Sequence, residues 1–157
     1  MTLSEIHAAT IAPALALLPA KMSGPAAEAL LLAIGLQESG FTTRHQLGGP
    51  AHGYWQFERG GVSGVLTHPA SRVQARAVCE ACGIKPTVEA VYAALEHDDI
   101  LAAAFARLLF WIDPSPLPAV GDAGRAWDLY LRTWRPGRPR RDSWDALYAR
   151  AVGEVSP

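Results

Sequence analysis

The stretch Pro25-Ala-Ala-Glu-Ala-Leu-Leu-Leu-Ala-Ile-Gly-Leu-Gln-Glu38, followed by Ser39-Gly40, decides the reading of this chain. Ala27, Leu30, Leu31 and Ile34 recur at spacings of three and four and form one apolar stripe of a helix over 25 to 38. Pro25 suits the first turn, where its missing N–H would have no partner anyway; Glu28 complements the positive helix end, and Gly40 supplies a stop. Glu38 falls four residues after Ile34 and eight after Leu30, so its carboxyl lies on or beside the face that packs inward. Withdrawal from water raises a carboxyl's pKa, and the negative helix C-terminus pushes the same way. A Glu kept protonated near neutrality can act as a general acid.

Outward from this helix, apolar spacing remains helical almost throughout. Helices are expected over about 3 to 19 (broken or bent near Pro13), 70 to 82, 87 to 96, 99 to 112, 122 to 135 and 142 to 152. Thr87, Asp98 or Asp99, Asp122 and Asp142 are expected N-caps, while Pro114 and Pro136 end the helices before them. The exception is Gln46 to Gly64, where seven residues are Gly or Pro and only Tyr54 to Phe57 can extend. It reads as loop, short strand, loop, and glycines there allow a backbone to approach a ligand closely.

The 157 residues carry 14 basic and 15 acidic side chains, 50% hydrophobic and 18% charged content. That balance excludes a disordered chain, and no uncharged apolar run approaches the roughly 20 residues of a membrane span. Short turns without a long linker or repeat predict a single domain over 1–157, with a monomer favoured. Ile11 to Ala20 is preceded by Glu5 and His7 and interrupted by Pro13 and Pro19, so no signal peptide is read and synthesis in a cytoplasm is expected. Cys79 and Cys82 are half of a zinc site at best and read as two reduced thiols near a helix end. Histidines 7, 45, 52, 68 and 97 show no metal-ligand spacing, so neither metal nor cofactor is expected. Seven arginines between Arg125 and Arg150 make a basic C-terminal quarter; with no recognised nucleic-acid module, it reads as a solvated face with local pairs.

Glu38-Ser39-Gly40-Phe41, followed by Gly53-Tyr54-Trp55-Gln56, resembles the Glu-Ser and Gly-Leu-Met-Gln motifs of lytic transglycosylases, members of the lysozyme-like superfamily. The likeness covers about residues 25 to 65. It implies a mainly α, lysozyme-like fold with a short extended or β segment around residues 46–64. It also implies cleavage of the β-1,4 bond between N-acetylmuramic acid and N-acetylglucosamine in bacterial peptidoglycan. By resemblance Glu38 is the catalytic glutamate, Ser39 its motif neighbour, and Gln56 helps shape the saccharide cleft. Tyr54 and Trp55 replace Leu and Met, either as a stacking surface for sugar or as core. The family's Ala-Tyr-Asn motif is missing; Tyr130, in Asp128-Leu129-Tyr130, is its nearest equivalent and would contact the glutamate or the sugar. Trp127, Tyr130, Leu131 and Trp134 at helical spacing read first as core.

A two-carboxylate glycosidase needs a second acid, and Glu58, just beyond Gln56, is the best placed in sequence. Without it, Glu38 alone would protonate the leaving sugar and then take a proton from the muramic acid C6 hydroxyl, giving a 1,6-anhydro end. A Ser-His-acid site from Ser39 or Ser63 with His45 or His52 is weak, because no nucleophile elbow is present. The expected protein resembles a bacteriophage endolysin or virion-associated muramidase acting at the cell wall after synthesis in the host cytoplasm. The alternative is a non-catalytic saccharide-binding or structural component of a phage particle, with nucleic-acid binding by the arginines third.

Overall fold

Helix α3, Pro25–Glu38, is enclosed by its neighbours in the computed structural model, which describes residues 1–156. Ala27 and every residue from Ala29 to Leu36 are buried, so the apolar surface is wider than the stripe read from sequence. A helix apolar on all sides needs partners on all sides. The last long helix, α9 (Arg141–Val155), lies along it, and α7 (Asp99–Trp111) packs against it as a second, almost wholly buried helix. Gly35 leaves the room that Phe41 fills: a Cβ there would come within 2.1 Å of the Phe41 ring.

The chain is mainly helical. It starts with α1 (Leu3–Ile6) and α2 (Ala12–Ala16), joined by a π-helical turn over His7–Ile11 in which the Ala12 N–H bonds the His7 carbonyl. Pro13 has no N–H for the α-register, and the widened turn lies immediately before it. Helices α5 (Arg72–Cys82), α6 (Val88–Ala94), α7 and α8 (Ala123–Trp134) fall where the apolar spacing places them. Thr87, Asp98 and Asp122 cap the backbone N–H groups of Ala90, Leu101 and Arg125. Asp142 lies inside the first turn of α9 rather than capping it, since Arg140 is the cap position. One apolar cluster extends from Ile6 to Ala151. Among the described residues no helix is long and apolar enough to cross a membrane.

The glycine-rich segment differs from its reading. Arg59–Thr67 forms helix α4 despite Gly60, Gly61 and Gly64, because Val62, Val65 and Leu66 share a face that is buried. Burial outweighs the roughly 1 kcal/mol that each helical glycine costs. Tyr54 to Phe57 does not extend as a strand: residues 53–56 are a turn, closed by an isolated antiparallel bridge between His52 and Phe57. A second bridge joins His45 to His52, and among the described residues there is no strand.

Gly53 starts that turn with φ at +80°, and an added Cβ would sit 2.8 Å from the Leu95 carbonyl oxygen. Gly53→Ala therefore meets both a left-handed backbone and a backbone clash. It should lower unfolding stability by about 2 kcal/mol, read as a shift in urea midpoint at unchanged slope.

Candidate active site

Glu38 is the last residue of α3 and is only partly exposed. Its Oε1 accepts a 2.7 Å hydrogen bond from the Tyr130 hydroxyl of α8, 92 residues away. Burial pushes the Glu38 carboxyl up to about 7; the Tyr130 bond pulls it down, and the charge of Glu58 raises it again. Tyr130 moves well above the usual phenol range, through its own burial first and then the charge and hydrogen bond of Glu38. The phenol therefore stays a donor at any working pH. With Oε1 occupied as an acceptor, Oε2 is left to carry the carboxyl proton.

Aromatic packing holds Tyr130 in place. Its ring stacks on Trp144 of α9 at 5.3 Å and 8°, and Trp127 and Trp134 lie at 5.4 and 6.3 Å on its own helix. Trp144 in turn donates its indole N–H to the Ala123 carbonyl at the start of α8. Two more indoles tie the turn to both helices: Trp134 Nε1 donates to the Trp55 carbonyl at 2.9 Å, and Trp55 Nε1 to the Leu31 carbonyl at 2.8 Å.

Trp55 thus belongs to the core. It has no exposed surface and offers no face to a sugar ring. Tyr54, 4% exposed, packs edge-on to Phe41 with the Arg44 guanidinium 4.3 Å from its ring centre. Arg44 is itself held by a bidentate pair with Asp99 at 2.9 Å. Ser39 directs its hydroxyl to the Tyr54 carbonyl at 2.7 Å, joining the end of α3 to the turn, and accepts from the Phe41 N–H. It donates to backbone and not to a histidine, which leaves a triad built on Ser39 without its first contact.

Gln56 is half-buried in the left-handed backbone region, φ +51°, with its amide N–H bonded to the Gly53 carbonyl at 2.9 Å. It lines a groove of about 590 Å³, with Glu58 exposed on the same wall. One wall is the turn and α4, from Gln56 to Gly64; the other is Leu109 of α7 and the residues just after that helix, with Arg132 to Trp134 of α8 and Arg135 beyond its end. The volume falls within the range of pockets that take small ligands. Glu38 does not line this groove; it is coupled to it through the charge of Glu58 and through Tyr130, one turn before Thr133 and Trp134.

Trp134 is the residue that sequence undervalued. It is half-buried and lines the groove, while Trp127 and Tyr130 from the same aromatic run are buried. Helical spacing places the three together but does not say which protrudes past the neighbouring turn. Asp113 and Arg132 also line the groove as an ion pair at 2.9 Å. Three of the seven C-terminal arginines pair locally: Arg132 here, Arg141 with Asp145, and Arg125 with Asp122. Both cysteines are free, and burial pushes the Cys79 thiol up to about 11, away from thiolate chemistry. A second polar cluster forms where His45 and His52 of the loop meet Glu96, just after α6.

No family model, curated protein or solved structure matches this chain.

Two measurements follow from the Glu38–Tyr130 bond. Tyr130→Phe removes a donor that favours the carboxylate, so the Glu38 pKa should climb above 7 in a carbon-detected titration; an unchanged or lower value would mean the bond is not made. Glu38 also binds its proton more tightly in the native state than in an unfolded chain, where a Glu titrates near about 4.3. Its stabilising contribution is full below that value, shrinks as pH rises, and is lost above about 7. Glu38→Gln should match the wild type in stability at pH 4 and exceed it at pH 8 by on the order of 3 kcal/mol, measured by urea unfolding.

Proposed function

We propose that this protein is a peptidoglycan-degrading glycosidase that cleaves the β-1,4 bond between N-acetylmuramic acid and N-acetylglucosamine, with Glu38 as general acid. The observation that carries the reading is the Glu38 carboxyl, pushed up by burial to about 7 and held by the hydroxyl of Tyr130, on the helix whose last turn at Thr133 and Trp134 lines the groove. A carboxyl with a pKa near the working pH combines adequate protonation with adequate acidity. The Glu-Ser and Gly-x-x-Gln resemblance supports the substrate class, and the bond from Ser39 to the Tyr54 carbonyl gives that pair of motifs a physical connection.

In this mechanism Glu38 passes its proton to the leaving glycosidic oxygen as the bond to the muramic acid C1 breaks. Tyr130 donates to the carboxylate that results and steadies its charge. The oxocarbenium-like centre is then captured in one of two ways. The muramic acid C6 hydroxyl attacks C1 and returns its proton to Glu38, giving a 1,6-anhydro end; or water attacks, giving a reducing end. Glu58 favours a place for the second route, because it lies on the groove wall and its charge reaches Glu38. Its carboxylate makes no capping bond to α4.

The test is digestion of purified peptidoglycan by the wild type and Glu38→Gln, with muropeptides weighed by mass spectrometry. Turnover should fall by about 10² to 10⁴-fold in the variant. Anhydro products would assign a lytic transglycosylase, and products heavier by one water a lysozyme that uses Glu58. Equal turnover by both proteins would overturn the role of Glu38, and no product from either would overturn the enzymatic reading. In the wild type, kcat/KM should decline as pH rises through about 7, where Glu38 loses its proton.

A further inference from the structure

Three metal-type side chains from two distant parts of the chain converge on the far end of the loop that carries Gln56. His45 and His52 face each other across the bridge that joins their backbones, and Glu96 follows α6. His52 Nε2 lies 3.1 Å from Glu96 Oε1, and His45 Nδ1 approaches the same oxygen. The three donor atoms lie within 4.8 Å of one another, and His97 Nε2 is 3.9 Å from the other carboxylate oxygen.

The tautomer of His52 makes this more than a cluster of charges. Its Nδ1 lies 2.8 Å from the Tyr92 carbonyl, which can only accept, so Nδ1 carries the proton and donates it. A neutral ring then turns the Nε2 lone pair toward a carboxylate oxygen, and a second imidazole approaches that same oxygen. Two acceptors facing one another in this way, His52 Nε2 and Glu96 Oε1, need a proton or a metal ion between them. The ring is held for the purpose: it stacks on Tyr92 at 3.7 Å and 11°, and the Tyr92 hydroxyl donates to the Pro50 carbonyl. An Nδ1–H bonded to a backbone carbonyl is how metal-binding histidines are oriented so that Nε2 meets the ion. Two imidazoles and one carboxylate suit zinc, with one position left for water.

We propose that His45, His52 and Glu96 form a binding site for one Zn²⁺, which clamps the loop containing Gly53 to Gln56 onto the junction between α6 and α7. None of the three residues lines the groove, so the site stands independently of the catalytic reading. Sequence spacing did not suggest it because 44 residues separate His52 from Glu96, and a ligand pair seven residues apart in a glycine-rich loop has no helical register. Besides the ion, the rival occupant of the gap is a proton, which would make His52 an imidazolium paired with Glu96.

The experiment is calorimetric titration of EDTA-stripped, full-length protein with ZnCl₂ at pH 7.5, with thermal unfolding followed in parallel. One zinc per chain should bind and raise the unfolding midpoint. His52→Ala and Glu96→Gln should each weaken binding by at least about tenfold and abolish the midpoint rise. His45→Asn should also weaken it; its side chain is 59% exposed, so this variant keeps the test valid should either of the others fail to fold. No zinc uptake would overturn the proposal. Uptake undiminished in all the folded variants would also overturn it, as would a nitrogen-15 spectrum of the zinc-saturated protein in which His52 keeps both ring protons.

Discussion

A hydrogen bond between residues 92 positions apart, from Tyr130 to Glu38, joins the ends of two helices, and the rest of the site is arranged around keeping it. Burying a carboxyl is costly unless it is protonated or hydrogen-bonded, and Glu38 has both means available. The bond survives only if α8 keeps its angle and distance to α3. Stacking of Tyr130 on Trp144 supplies the lateral support, and α9, which carries Trp144, lies along α3 itself. The acid and its donor are therefore positioned by the same helix, one directly and the other through its aromatic face.

The turn between His52 and Phe57 is the second element on which the site rests. It is short, has a left-handed residue at Gly53 and another at Gln56, and has no ladder of strands to stiffen it. Its order comes from side chains. Trp55 bonds α3 through its indole and α8 through its carbonyl, Ser39 bonds the Tyr54 carbonyl, and Arg44 ties the Tyr54 ring to Asp99 at the start of α7. Each of these contacts ties the turn to a helix through a polar or charged group. The result is one groove wall whose backbone is held from beneath, with Gln56 and Glu58 presented above it.

Much of this is legible in the sequence. The limits of α3 followed from Pro25 and Gly40, and the inward placement of Glu38 followed from its register with Leu30 and Ile34. The sequence marks Tyr130 as a partner for the glutamate or the sugar, and its contact is with the glutamate. Less legible was α4, since three glycines in nine residues argue against a helix until Val62, Val65 and Leu66 find a core to enter. The Tyr54 to Phe57 run has strand-forming residues, yet a lone extended run without a partner strand gains nothing by extending, and the indole of Trp55 is satisfied by turning inward.

By itself the sequence determined what local physics controls: the helices, most of their caps, and the face on which Glu38 falls. These depend on periodicity and on backbone groups a few residues apart. Only the tertiary structure decided which aromatics are wall and which are core, that Glu58 shares a groove with Gln56, and that His45, His52 and Glu96 meet. Those outcomes depend on distances between segments far apart in the chain, and such distances are set by how apolar surfaces of different helices fit together.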